Sequence, residues 1–98
     1  MHNISSSAPA QANAAIDKYL GMWWRDEKAE AIKAEFGWAV YQLVWEAYQT
    51  AVNTPVNWEK ETLETATQRV LSATQEAHPW LTKQSLLTLG NCFAYAWR

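Results

Sequence analysis

Residues 26–52 constrain this chain more than any other stretch. The run AEAIKAEFGWAVYQLVWEAYQTAV contains no proline and many good helix formers, so it predicts one helix over 26–52. Two stripes recur at helical spacing. The first is Ala29, Ile32, Phe36, Val40, Leu43, Ala47 and Ala51, and the second is Trp38, Tyr41, Trp45, Tyr48 and Val52. From Gly37 onward only a narrow strip near Gln42, Glu46 and Gln49 is polar. A helix apolar around most of its girth is either central to a fold or shared with another chain. Straight, it would run about 40 Å at 1.5 Å per residue, whereas a domain of ~100 residues has a radius of gyration near 13 Å. The expectation is therefore a bend at Gly37, or a protruding helix that pairs with a second subunit.

The rest of the chain reads as further helices. Residues 1–7 are polar and expected to be disordered, with Ser7 capping a first helix and Pro9 in its first turn. Ile16, Leu20 and Trp23 would form its buried edge, and Asp26 would cap the next helix. Thr54-Pro55 predicts a restart, with Thr54 as N-cap. That helix would run to about Ala77 along an inner edge of Leu63, Ala66, Val70, Ala73 and Ala77, mostly small residues that let Trp38 and Trp45 pack opposite. His78-Pro79 stops it. Thr82 caps a last helix, with Leu81 and Leu86 placed as a hydrophobic staple and Leu86, Leu89 or Gly90, Phe93 and Trp97 facing inward. No stretch alternates with period two, so strands are not expected. The fold class is all-α: one domain over 1–98, a compact bundle of about four helices joined by short turns.

Charge and composition narrow the function classes. The net charge of -2 is too balanced to indicate nucleic acid or an anionic membrane as a partner. The amino-terminal residues have neither a basic nor an apolar signal region, and no run reaches the ~18–20 apolar residues that a membrane span needs. A single cysteine, Cys92, excludes an internal disulfide and suits a reducing cytoplasm.

Chemistry-bearing groupings are sparse. The two histidines, His2 and His78, have no cysteine or histidine at metal-ligand spacing. The pairs Glu27/Glu30 and Glu61/Glu64 lie among lysines, as on a solvated face. Cys92 falls in an apolar run with no basic neighbour to lower its pKa. The three glycines are isolated, so no phosphate loop is formed. Neither an enzyme nor a metal or cofactor is expected.

What remains is aromatic surface. Seven tryptophans in 98 residues must be buried or offered to a partner. The leading expectation for Trp38, Tyr41, Trp45 and Tyr48 is core packing under the alanine-lined helix. The other expectations are self-association or a hot-spot patch for another protein. Function reads as a non-catalytic, cytoplasmic protein-binding module, most concretely an immunity or antitoxin-type inhibitor that neutralises a toxin domain by occlusion. Glu59, Glu61 and Glu64 are the candidate acidic contacts, beside the aromatic four. The alternative is a homodimeric assembly module joined through the aromatic face of residues 37–52.

Overall fold

A computed structural model describes residues 4–21 and 24–96. Among them are five helices and no strand: α1 (Ile4–Tyr19), α2 (Asp26–Phe36), α3 (Trp38–Asn53), α4 (Leu63–Ala77) and α5 (Lys83–Ala96). The predicted long helix is thus two helices, which makes five instead of about four. Gly37 divides them at φ 93°, ψ 170°, a backbone region that is essentially glycine's alone. Its N–H donates to the Lys33 carbonyl at 3.0 Å and its own carbonyl accepts from Tyr41 N–H at 3.1 Å. One residue therefore closes α2 and opens α3. The length conflict disappears with the break, and the chain has a radius of gyration of 13.6 Å.

Helix α3 is the hub, in contact with each of the other four. It buries Val40, Val44, Ala47 and Ala51 at i, i+4, i+7 and i+11; Val44 takes the core place expected of Leu43, which is half-buried. Against it lie Ala12, Ala15 and Ile16 of α1, Ile32 of α2, Ala66 and Val70 of α4, and Leu89, Cys92 and Phe93 of α5. Alanine on α1, α3 and α4 lets the helix axes approach closely, and the larger Ile16, Leu89 and Phe93 fill the space between.

Several element boundaries differ from expectation. Helix α1 begins at Ile4, ahead of the predicted Ser7 cap, so residues 4–7 are helical and Pro9 sits inside the helix. Helix α2 is capped by Arg25, without a side-chain bond, and Asp26 is its first residue. The predicted start at Thr54 is replaced by an ordered loop. The Thr54 hydroxyl donates back to the Thr50 carbonyl at 2.7 Å, so it closes α3 instead of capping a new helix. The Asn57 side chain then accepts from Glu59 N–H at 3.1 Å, and Thr62 opens α4 through a capping box with Thr65. Arg69 braces this loop by donating to the Glu61 carboxylate and to the Pro55 carbonyl. Leu63 and Ala77, placed on the inner edge, sit at the two ends of α4 and are exposed; the buried line is Ala66, Val70 and Thr74. The Thr82 cap is present, accepting from Ser85 N–H at 3.1 Å, and both staple leucines are buried. Trp23, Trp97 and residues 1–3 lie outside the described residues.

Asn13 fastens the two ends of the chain together. Its amide donates to the carbonyls of Pro9 and Trp80 and accepts from Thr82 N–H at 2.9 Å. Next to it, the Ser85 hydroxyl donates to the Asp17 carboxylate at 2.9 Å. The α4–α5 turn, bent by Pro79, is thereby held to α1.

Candidate functional site

The second stripe of α3 carries the site. Trp38, Tyr41, Trp45 and Tyr48 follow one another at 3, 4 and 3 residues, which places them in a single row. The α1–α2 connection lays Trp24 across that row. Its ring centroid is 4.9 Å from Trp45, 5.0 Å from Tyr48 and 6.1 Å from Tyr41. Trp45 and Tyr48 stack at 5.9 Å, and Trp38 meets Tyr41 at 5.3 Å. These separations fall in the range where offset and tilted aromatic pairs attract beyond their burial. Lys33 adds a cation, its Nζ 5.1 Å from the Trp38 ring centre and 4.6 Å from that of Tyr41, while it pairs with Glu30 at 3.2 Å.

This arrangement meets the expectation of core packing in part: Tyr41 and Tyr48 pack against the core, whereas Trp38 stands out from it. Tyr41, Trp45 and Tyr48 are half-buried, and Trp38 is 64% exposed. The alanine-lined helix does not cover them. At 100° per residue Thr50 lies roughly 150° around α3 from Trp45 and Tyr48, and it is Thr50 that meets the end of α4, through His78 at 2.8 Å. Trp24 lies over Tyr41, Trp45 and Tyr48 and leaves the Trp38 end of the row open. Burial, together with the nearby Cys92 thiol, raises the Tyr48 pKa above its ordinary value.

The acidic candidates do not share one helix face. Glu59 and Glu61 belong to the loop before α4, and only Glu64 is helical. Glu61 is engaged by Arg69 at 2.9 Å and by Asn57 N–H at 3.1 Å, and these bonds hold its carboxyl below the usual range. Its role is to brace the loop. Glu59 and Glu64 are exposed.

The sequence pattern named four of the six aromatic and cationic members of this face. Trp24 and Lys33 were not among them. Trp24 comes from a connection with no helical period, and the Lys33–Tyr41 approach crosses the Gly37 break, where 3.6-residue spacing no longer applies. The one available signal was the adjacent Trp23-Trp24 pair, at the end of the first predicted edge and ahead of the Asp26 cap.

The remaining reactive groups are apart from each other. His78 closes α4; its Nε2 lies against the Thr50 hydroxyl, which itself donates to the Glu46 carbonyl at 2.9 Å. Burial lowers the His78 pKa, opposed by the nearby Glu46 charge. Cys92 is buried in α5, where desolvation pushes its thiol up to about 11, and it faces the Gly21 carbonyl at 3.9 Å. Such a thiol holds little thiolate at neutral pH and is a poor nucleophile. No group of three His, Cys, Asp or Glu side chains that could hold a metal ion occurs among the described residues. None of the described helices is long and apolar enough to cross a membrane.

No protein-family model matches this chain, and no curated protein or solved structure matches it either.

Proposed function

We propose that this chain is a non-catalytic protein-binding module that works by occlusion, laying a rigid aromatic face over the working surface of a partner. The observation that carries this reading is the contrast within one row: Trp24 fixes Tyr41, Trp45 and Tyr48, while Trp38 stays 64% exposed beside them. Tryptophan and tyrosine dominate binding hot spots because they desolvate large areas while losing few rotamers. A face whose rings already pack on one another loses still less freedom on binding. The most concrete form of the proposal is an immunity or antitoxin-type inhibitor acting in the cytoplasm on a toxin domain. Exposed Glu59 and Glu64 suit a basic partner surface, and Glu61 leaves the contact set because Arg69 holds it.

The alternative, a homodimer through residues 37–52, drew on the length of the helix and on its apolar girth, and the Gly37 break takes away the first of these. Two measurements test the choice. Light scattering of the purified chain at high concentration gives a monomer under the first reading and a dimer under the second. Affinity capture from the producing cell, with wild type and Trp38→Ala as baits, retains a stoichiometric protein on the wild type only. A monomer that retains nothing overturns the proposal.

A further inference from the structure

A second surface runs along the outer side of the α4–α5 pair, and it shares no residue with the aromatic face. Gly90 lets these helices approach closely: a Cβ built there would stand 2.9 Å from Leu71 Cδ2. Alongside that crossing lies an open groove of about 390 Å³. Its floor is leucine: Leu86 is buried, Leu71 half-buried and Leu87 47% exposed. Its polar rims are Gln68, Ser72 and Gln75 on α4 and Lys83 on α5.

A positive charge stands at one end of the groove and a negative charge beyond the other. Lys83 is the one charged residue in the lining, and among the described residues no carboxylate pairs with it. Glu64 stands one turn before Gln68, on the i, i+4, i+7, i+11 stripe that continues through Leu71 to Gln75. It is exposed and extends the rim beyond the far end. From Glu64 to Gln75 the rim measures about 17 Å along the helix axis. An apolar floor with a positive and a negative end is the complement of an amphipathic helix of about three turns.

We propose that this groove binds an amphipathic helix from a different protein, with an acidic residue of its first turn against Lys83 and a basic residue of its last turn against Glu64. Leucine-sized side chains between them cover Leu71, Leu86 and Leu87. The charge order agrees with the occupant's own helix dipole, which favours acid first and base last. The occupant then runs parallel to α5 and antiparallel to α4. A second copy of this chain does not offer such a helix. Among the described residues only α2 has acidic residues in its first turn and a basic residue in its last, and its Ala29 and Ile32 are buried in its own core.

The test is selection from a displayed library of fully randomised helical peptides, about 12 residues long to match the rim from Glu64 to Gln75, against the full chain. The expected winners carry Asp or Glu in the first turn, leucine-type residues at i, i+3 or i+4, and i+7, and Lys or Arg in the last turn. A synthetic consensus peptide should bind the Leu87→Glu variant about tenfold more weakly, since the floor loses apolar area and gains a charge. Lys83→Glu should reverse the preference, favouring a peptide with its end charges exchanged. Both substitutions are at exposed positions, and unchanged melting temperatures confirm that the variants are folded. The proposal is overturned by a library that enriches nothing, by winners without this charge order, or by binding that survives Leu87→Glu. It is also overturned if Trp38→Ala abolishes binding, because the contact would then belong to the aromatic face.

Discussion

Trp24 packs on Trp45 with ring centroids 4.9 Å apart, and this one contact ties the α1–α2 connection to the middle of α3. It also divides the tryptophans by role. Trp24 is half-buried and touches three rings of the row, whereas Trp38 is 64% exposed and touches Tyr41. Truncating Trp24 to alanine should therefore cost about 2–4 kcal/mol of unfolding free energy, near the lower end for a large aromatic. Trp38→Ala should cost under about 1 kcal/mol, as exposed substitutions do. Urea denaturation of the two variants checks the contrast; equal losses would mean that Trp38 is structural.

The Gly37 hinge has a conformational origin. Its φ of 93° with ψ of 170° strains any residue that carries a Cβ, although open space surrounds the position. Gly37→Ala should destabilise by about 1–3 kcal/mol, visible as a lowered urea midpoint. An alanine variant of unchanged or raised stability would show that α2 and α3 can join into one straight helix.

Thr74 is fully buried in α4, and its hydroxyl has no hydrogen-bond partner. Valine has nearly the same shape without the hydroxyl. Thr74→Val should stabilise the fold by about 1 kcal/mol, since an unsatisfied polar group is removed from the interior. Thermal unfolding reads the change directly, and a loss of stability would place an unseen partner on that oxygen.

His78 gives a pH dependence whose sign follows from its lowered pKa. The unfolded chain binds the imidazole proton more readily than the folded one. The contribution of neutral His78 is thus present above about pH 6.5, its unfolded value, and is lost as pH falls through the lower folded value. The melting temperature should decline between about pH 7.5 and 5.5, with a smaller decline in His78→Gln. Glu35, which accepts from the Tyr19 hydroxyl and from Lys18 Nζ, and Glu61, which accepts from Arg69, are both held below the usual carboxylate range. Their contributions are present above the ordinary carboxylate pKa and vanish as pH falls through the depressed folded ones. An identical pH profile in the wild type and His78→Gln would remove His78 from this account.

What could be read from the residue order was periodic. Val40, Ala47 and Ala51 of the first stripe on α3 are core, while the remaining buried position there is Val44 and not Leu43. The helix stop at His78, the Thr82 cap and the burial of Cys92 were legible for the same local reasons, whereas the Lys28 charge that acts on this thiol from α2 was not. Thr54-Pro55 misled because threonine can either accept at a helix start or donate back to a helix end. Pairing of the Thr54 hydroxyl with Thr50, and the Asn57 turn that follows, decide between these. The cover over the aromatic row was illegible because Trp24 reaches it from a connection without period. Arg69 likewise reaches Glu61 across eight residues, by way of a loop whose shape no spacing rule supplies.

The central claim is that the row ending in Trp38 is the binding surface. The most direct test is the affinity of the captured partner for the wild type and for Trp38→Ala, measured by calorimetry at matched melting temperatures. A hot spot implies a loss of at least about 2 kcal/mol, or roughly thirtyfold in Kd, with stability almost unchanged. Equal affinity for the two proteins would contradict the account.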